Sequence, residues 1–297
     1  MRLYVVGTQG QIARSLREAA ALDPDIVFGC GGRPDIDILR ADKVQKTLLA
    51  FSPDIVVNPA AYTAVDRAES EPDLALAVNR DGARIVANAA AGLGIPIVHL
   101  STDYVFDGRK QAPYVETDAV APQGVYGRSK LAGEYAVAEA NDHHIIVRTS
   151  WVYAPFGNNF VRTIMRLSTD HDILRVVDDQ VGCPTFAPDI AGAILAIARK
   201  IGHSGWKQGF AGITHLAGPD QITWCDFARR IMHILEQKGE RSAAVEGIAT
   251  AAYPTAAIRP ANSRLCCDRL ASLFDIQMPP LEWSLKRCVE RLLGTPH

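Results

Sequence analysis

The sequence predicts an α/β protein with a doubly wound parallel sheet and a smaller, partly discontinuous C-terminal domain. Apolar, strand-like runs alternate with helical stretches over the first 150 residues, a pattern typical of a parallel sheet covered by helices on both faces. A glycine-containing turn follows the first of these runs. After about residue 150 the alternation becomes irregular and rich in Pro and aromatic residues, as expected of loops that line a pocket.

The alternation can be followed element by element. Apolar runs predict strands at LYVV (3–6), DIVFGC (25–30), DIVVN (54–58), PIVHLS (96–101) and HIIVR (144–148). Helical patterns predict helices at residues 12–22, near 41–51, at about 71–92, at 126–140 and near 159–169. We therefore expect a Rossmann-like domain at residues 1–150, to which segments of roughly 172–215 return, and a mainly substrate-binding domain at 151–297.

Composition argues against several classes of protein. The 297 residues carry a formal charge of -2 and no Lys/Arg run, whereas nucleic-acid surfaces depend on clustered cations. No apolar run reaches the length of a membrane span, and no export segment is expected at the N-terminus. The six cysteines lack the paired short spacings of zinc sites, and no cluster of metal-binding residues stands out. These features predict a cytoplasmic protein without a nucleic-acid partner, a membrane partner or a catalytic metal.

The turn GTQGQIA (7–13) joins the first strand to the first helix, which is the position of a dinucleotide-binding turn. Gly7 and Gly10 would let the backbone approach a pyrophosphate. Gln11 and Ile12 would open a helix whose N-terminal amides face that anion. Ala13 stands at the third glycine position and still leaves room for the helix to pack. A tight turn without a ligand is the alternative interpretation.

The second strand ends at CGGR (30–33), where an NAD-selective site usually has an acidic residue. Arg33 could bind the 2′-phosphate of NADP, although a solvated surface arginine would fit the sequence equally well. Asp37 is placed to reach the adenine edge, or it could be an exposed turn carboxylate. NADPH is therefore the predicted cofactor, and use of NADH is left open.

Tyr126 and Lys130, in YGRSK, lie four residues apart and so share one face of a helix. Reducing a ketone requires a hydride donor, a proton donor and stabilisation of the developing alkoxide. The Lys130 ammonium would lower the pKa of the Tyr126 phenol and make it a usable acid. Thr102 follows the run PIVHLS, at a strand end where ligands commonly bind, and could hold the ketone oxygen. A surface helix and a strand cap are the alternatives to these roles.

Together, the glycine turn, STDYVFDG (101–108) and YGRSKLAGE (126–134) resemble the extended short-chain dehydrogenase/reductase superfamily. Within it, the chain resembles the dTDP-4-dehydrorhamnose reductases over nearly its whole length. The matching segments, in the expected order, are NPAAYTAVDRAES, STDYVFDG, VYGRSKLAGE, RTSWVY, GNNFV, DDQVGCPT and YPTAAIRPANSRL.

This resemblance implies a reaction and its catalytic residues. The reaction is NAD(P)H-dependent reduction of the C4 ketone of dTDP-4-dehydro-L-rhamnose, the last step of dTDP-rhamnose biosynthesis. The catalytic residues would be Thr102, Tyr126 and Lys130, with Tyr126 as the proton donor, Lys130 also holding the nicotinamide ribose, and Thr102 polarising the carbonyl.

The resemblance also implies binding contacts. The backbone around Ala60, Ala61 and Tyr62 would line the cofactor, although close packing alone could explain the small residues. Asp103 would face the substrate, and Trp151 would contact the sugar. A tryptophan after an apolar strand could press its face against a deoxysugar ring, with a core position as the alternative.

The segment near residue 260 offers donors for the diphosphate of a sugar nucleotide. Arg259 supplies a forked cation, and Asn262 and Ser263 supply neutral donors. Surface ion pairs would explain the arginine equally well. Some members of the family bind Mg²⁺ between subunits through glutamates of the first helix, but Arg14 and Ser15 stand near that place here. We therefore expect no such metal, and a homodimer is left open.

Two other functions share features with this sequence. Epimerases and 4,6-dehydratases of nucleotide sugars share the fold and the Tyr/Lys pair, but a dehydratase would have an Asp-Glu pair after the Thr, and here Tyr104 follows Asp103. A non-catalytic regulatory subunit of methionine adenosyltransferase is the alternative of a different class. The catalytic residues at 102, 126 and 130 favour an enzyme over that regulator.

Overall fold

The computed structural model describes residues 1–294. The strands are β1 Arg2–Val6, β2 Val27–Gly31, β3 Ile55–Asn58, β4 Ile97–Thr102, β5 His144–Thr149, β6 Val152–Tyr153, β7 Ile173–Val177, β8 Val181–Gly182, β9 Thr185–Phe186, β10 Gly212–His215, β11 Ile222–Thr223, β12 Ala244–Ile248 and β13 Asn262–Ser263. The α-helices are α1 Gln11–Ala21, α2 Ala41–Phe51, α3 Val65–Ala68, α4 Pro72–Leu76, α5 Ala83–Gly92, α6 Val125–Ala140, α7 Phe160–Asp170, α8 Ala187–Ser204, α9 Trp224–Gln237, α10 Asp268–Phe274 and α11 Leu281–Leu292. None of the helices in this part of the chain is long and apolar enough to cross a membrane.

Six parallel strands form the main sheet, in the order β10-β5-β4-β3-β1-β2. Side chains alternate between its faces, so Leu3 and Val5 pack with α1, α8 and α10, whereas Tyr4 and Val6 pack with α2 and α5. Because both faces are covered, the strands can be apolar throughout. The predicted doubly wound parallel sheet is confirmed.

A second core lies beyond the end of β5. Helices α7, α9 and α11 enclose it, and the pair β7 and β12 borders it. Within the range 172–215, the structure places α8 and β10 with the main sheet, whereas β7 pairs with β12 in the second core. The alternating exposure of β7 explains this, because one of its faces is solvated while a central strand of the main sheet is covered on both. Helix α10 also packs against the first core, so the chain crosses between the two cores several times.

The helix predicted at about 71–92 contains a π-helical turn, Ala77–Gly82, between α4 and α5. Within this turn the buried side chain of Asn79 accepts a hydrogen bond from the Tyr62 amide (2.7 Å) and donates to the Ser129 hydroxyl of α6 (2.8 Å). Gly133 of α6 packs directly on the same turn: an added Cβ would lie 2.1 Å from the Asn79 carbonyl oxygen. The irregular turn is therefore one side of a close helix contact.

This contact generates a prediction about stability. Gly133→Ala should lower the free energy of unfolding by about 1–3 kcal/mol, because the new methyl group forces α6 away from backbone that cannot yield. Gly92→Ala is the matched control, since an added Cβ at Gly92 meets nothing within 4 Å and alanine has the higher helix propensity. Urea denaturation of the two variants measures the difference. Equal stabilities would contradict the close contact.

Candidate active site

A cavity of about 870 Å³ opens at the carboxyl ends of β1, β3, β4 and β5. Parallel strands bring these ends to one edge of the sheet, where ligands of open α/β sheets bind. Its volume lies in the upper part of the usual range for ligand sites. The predicted site residues that line it are Gly7, Gly10, Gln11, Ile12, Arg33, Asp37, Ala60, Ala61, Thr102, Asp103, Tyr126, Lys130 and Trp151.

The glycine turn forms one end of the cavity. Gly7 has a φ of 120°, a conformation that favours glycine, and its amide donates to the Gly31 carbonyl (2.6 Å). Gly10 is the N-cap of α1 and has no side chain to occupy the helix N-terminus. The first amides of α1 are therefore available to an anion. Gln11 connects this helix to the second core, because its side-chain carbonyl accepts a hydrogen bond from the side-chain amide of Asn159 (3.0 Å).

The adenosine end of the predicted cofactor site has a different character. Arg33 is exposed at the cavity wall and forms no hydrogen bond or ion pair with the rest of residues 1–294. Asp37 also lines the wall, and its carboxylate accepts from the Leu39 amide (3.0 Å).

The structure does not place Tyr62 in the cavity wall, where the sequence analysis expected it. The Tyr62 hydroxyl donates to Glu71 (2.6 Å), which turns the ring toward α4.

Tyr126 lies in the first turn of α6, half-buried at the cavity wall beside the end of β4. Burial raises the pKa of its phenol, and a hydrogen bond with the Thr102 hydroxyl opposes that change. The ring of Tyr104 packs edge-on against it, with centroids 5.4 Å apart. Tyr126 is therefore a neutral phenol at neutral pH, held beside Thr102.

Lys130 follows one helical turn later and is also buried. Its ammonium donates to the Leu100 carbonyl of β4 (2.5 Å), and within residues 1–294 no hydrogen bond joins it to Tyr126. Burial lowers the pKa of Lys130 to about 8, while the negative charge of Glu134 acts in the opposite direction. The sequence led us to expect that Lys130 lowers the pKa of Tyr126. In this geometry the carbonyl holds the ammonium, and burial dominates the pKa of the phenol.

Asp103 is a buried carboxyl group at the cavity wall. One of its oxygens accepts from the Thr102 hydroxyl (3.0 Å), and the other has no partner among the described residues. Burial raises the pKa of Asp103 to about 6, and hydrogen bonds from Ser263 and Thr102 oppose this. An unpartnered buried acceptor is costly, so this oxygen is suited to a hydroxyl group of a ligand.

Trp151 forms the opposite end of the cavity. Its backbone has a φ of 48°, uncommon for a bulky residue, and its ring stacks on Trp224 of α9 with centroids 3.4 Å apart. The ring also covers Gly182, where an added Cβ would lie 2.3 Å from it. Trp224 was missed from the sequence, because no local spacing connects two tryptophans that lie on separate elements.

The three predicted diphosphate contacts do not line the cavity. Arg259 pairs with Asp66 (2.5 Å) at the rim, and its other amino group lies 3.5 Å from the Tyr104 hydroxyl. The Asn262 amide donates to two backbone carbonyls of the 110–112 loop and accepts from Arg264, so its hydrogen-bonding capacity is used within the fold. Ser263 is buried in β13 and is not part of the cavity wall.

A buried polar network that the sequence analysis also missed lies behind Lys130. Glu134 of α6 forms a bidentate ion pair with Arg148 of β5 and accepts from the Ser101 hydroxyl. The four-residue spacing of Tyr126, Lys130 and Glu134 was the available signal, because it places all three on one helix face.

Comparison with known proteins agrees with this geometry. A family model described as the RmlD substrate binding domain matches residues 1–293. A dTDP-4-dehydrorhamnose reductase of Sinorhizobium fredii is 50% identical over 293 residues, covering 99% of this chain and 98% of the relative. One from Escherichia coli (strain K12) is 39% identical over 304 residues, with 99% of each chain covered.

Solved structures give the same result. A dTDP-4-dehydrorhamnose reductase of Clostridium acetobutylicum superposes with a TM-score of 0.90 at 34% identity, covering 99% of this chain and 100% of the other. The enzyme of Bacillus anthracis, solved in complex with NADP, has a TM-score of 0.87 at 34% identity, with 98% and 99% covered. The Thermus thermophilus UDP-glucose 4-epimerase, at 18% identity, shares the fold (TM-score 0.80). Sequence, fold and cavity thus agree, and the chain belongs to the dTDP-4-dehydrorhamnose reductase family, whose members are NAD(P)-dependent oxidoreductases.

Proposed function

We propose that this chain reduces the C4 ketone of dTDP-4-dehydro-L-rhamnose with NADPH, forming dTDP-L-rhamnose in the last step of its biosynthesis. The observation that carries the proposal is the convergence of Thr102, Tyr126 and Lys130 on one wall of a cavity that extends from the glycine turn to Trp151. Relatives up to 50% identical are named for this reductase activity, which supports the choice of substrate.

The cavity wall fits a dinucleotide. Gly7 and Gly10 leave the amides of α1 free for a pyrophosphate. The small side chains of Ala60 and Ala61 leave room for the ligand at the end of β3. The unpaired Arg33 fits a 2′-phosphate, and the Bacillus anthracis relative was solved with NADP. Bound NADPH would supply the hydride that C4 of the sugar receives.

The chain's own residues would handle the oxygen and its proton. On substrate binding the Thr102 hydroxyl would turn its proton from Asp103 to the ketone oxygen and hold that oxygen beside Tyr126, and the Tyr126 hydroxyl would transfer its proton to that oxygen as C4 gains the hydride. The C=O double bond becomes C–OH, and Tyr126 is left as a phenolate that recovers its proton from solvent. Thr102 and the nearby Lys130 ammonium stabilise the negative charge in the meantime.

The raised pKa of Tyr126 is compatible with this role. It keeps the phenol protonated before reaction, which is the form that an acid requires. An alkoxide is a stronger base than a phenolate, so the proton transfer stays favourable even from a phenol whose pKa burial has raised.

The sugar end of the cavity provides orientation. Trp151, stacked on Trp224, lines the cavity, and the part of its ring that stays accessible there could pack against the apolar face of a deoxysugar ring. The free oxygen of Asp103 can accept a hydrogen bond from a sugar hydroxyl. These two contacts would place C4 near Tyr126, and such positioning contributes to rate.

The central test is Tyr126→Phe, which removes the proton and preserves the ring. We expect kcat to fall about 10²- to 10⁴-fold, because that is the usual contribution of a general acid, while the dissociation constant for NADPH stays unchanged. Tyr135→Phe is the matched control, because Tyr135 lies on the same helix and is 62% exposed. Oxidation of NADPH with dTDP-4-dehydro-L-rhamnose measures both. Near-normal turnover by Tyr126→Phe would place the proton donor elsewhere.

The preference for NADPH depends on Arg33. Arg33→Ala should raise the KM for NADPH about tenfold or more, because a hydrogen bond to a charged group is worth about 1.5–3 kcal/mol, and should leave the KM for NADH nearly unchanged. Arg40→Ala is the control, because that exposed arginine pairs with Asp42 away from the cavity. Steady-state kinetics with NADPH and with NADH measure these KM values. Equal effects on the two would show that Arg33 does not bind the 2′-phosphate.

A further inference from the structure

Helix α6 presents three ionisable side chains on the face that packs against the sheet. Tyr126, Lys130 and Glu134 follow one another at intervals of four residues, and so lie one above another. Tyr126 and Lys130 line the cavity, whereas Glu134 lies one turn deeper and is 2% exposed. The roles given to Tyr126 and Lys130 leave Glu134 without a function.

Glu134 is held as a carboxylate by strong contacts from two strands. Arg148 of β5 binds both of its oxygens, through Nε at 2.9 Å and Nη2 at 2.7 Å, and the Ser101 hydroxyl of β4 donates to Oε1. The Arg148 side chain is as deeply buried as its partner. Buried charges persist when they are paired and hydrogen-bonded in this way, so Glu134 carries a fixed negative charge.

Lys130 faces few charged groups besides Glu134. Two groups of β4 face Lys130, the Leu100 carbonyl and the side chain of His99. Burial and the Lys130 charge hold the pKa of His99 well below its usual value, so that His99 is uncharged. From β5, the Arg148 guanidinium pairs with Glu134. Among the described residues, Glu134 is the charged group that acts on Lys130 to favour the ammonium, one helical turn away.

We propose that Glu134 is a positioning residue whose carboxylate, fixed by Arg148 and Ser101, supplies the buried negative charge that keeps Lys130 an ammonium in the cavity wall. The inference rests on the proposed function, because it concerns the cation that stabilises the Tyr126 phenolate. It gives the Arg148–Glu134 pair a role beyond joining α6 to the sheet.

The sign of the effect follows from the two opposing influences on Lys130. Burial lowers its pKa to about 8, and Glu134 limits that decrease. Without the carboxylate the ammonium would lose its proton at lower pH, because an opposite charge one helical turn away favours the charged form. As the pH is raised, activity that requires the ammonium would therefore be lost at a lower pH than in the parent protein.

The test compares Glu134→Gln with Glu134→Asp, which keeps the charge, and with Glu139→Gln, an exposed control on the same helix. Glu134→Gln leaves Arg148 buried without a counter-ion, so the double variant Glu134→Gln/Arg148→Met provides a folded alternative that lacks both charges. Two quantities are measured: the titration of the Lys130 ¹³Cε resonance in cofactor-free protein with labelled lysine, and the pH dependence of kcat.

We expect the Lys130 titration and the alkaline limb of kcat to move about one to three pH units lower in Glu134→Gln, which leaves the Arg148 cation uncompensated, and by a smaller amount in the double variant, which loses both charges. Glu134→Asp should stay close to the parent, and Glu139→Gln should match it. An unchanged Lys130 titration in both variants that lack the carboxylate would overturn the inference, even if their turnover falls. The resonance reports on Lys130 without turnover, so a parent protein that cannot reduce the sugar would count against the proposed function instead.

Discussion

The buried ion pair between Arg148 on β5 and Glu134 on α6 joins the helix that carries Tyr126 and Lys130 to the sheet that carries Thr102. Glycines let α6 pack closely on two neighbouring turns: an added Cβ would lie 2.2 Å from the Tyr104 carbonyl oxygen at Gly127 and 2.1 Å from the Asn79 carbonyl oxygen at Gly133. The ion pair and these two contacts together fix the position of α6 on the sheet. In that position Lys130 reaches the Leu100 carbonyl and Tyr126 lies beside Thr102. Precise placement of a proton donor is what catalysis of this kind requires.

The second core completes the site from the other side. The chain leaves β5 through Trp151, whose left-handed backbone turns the ring onto Trp224, so a strained residue marks the point where the two cores meet over the cavity. Gln11 and Asn159 connect α1 to that core. The proposed cofactor and sugar sites would therefore be built from different parts of the chain and share one cavity, which is the arrangement that hydride transfer between two ligands needs.

Much of this could be predicted from the sequence, because the information was local. Apolar runs and helical spacing report burial directly, and they predicted five of the six strands of the main sheet, β1 to β5, and the longer helices between them within a few residues. The strand β10 and the helix α8 were not predicted, although residues 172–215 were expected to return to this domain. The glycine turn and the four-residue Tyr/Lys spacing likewise indicated local structure. Features that depend on distant partners could not be predicted in this way. The amide of Asn262 is used by a loop about 150 residues earlier, Tyr62 turns toward Glu71, and the π-helical turn packs on Gly133 of another helix. The hydrogen bond of Lys130 to a strand carbonyl belongs to the same class.

In the proposed reaction, a hydride passes within this cavity from NADPH to C4 of a 4-keto sugar nucleotide. The most direct measurement uses NADPH that carries deuterium in the transferable position of the nicotinamide, with dTDP-4-dehydro-L-rhamnose as the acceptor and NMR of the sugar product. We expect one deuterium at C4 of dTDP-L-rhamnose for each NADPH oxidised. Product without deuterium at C4, or a sugar that is isomerised while NADPH remains unoxidised, would contradict the account.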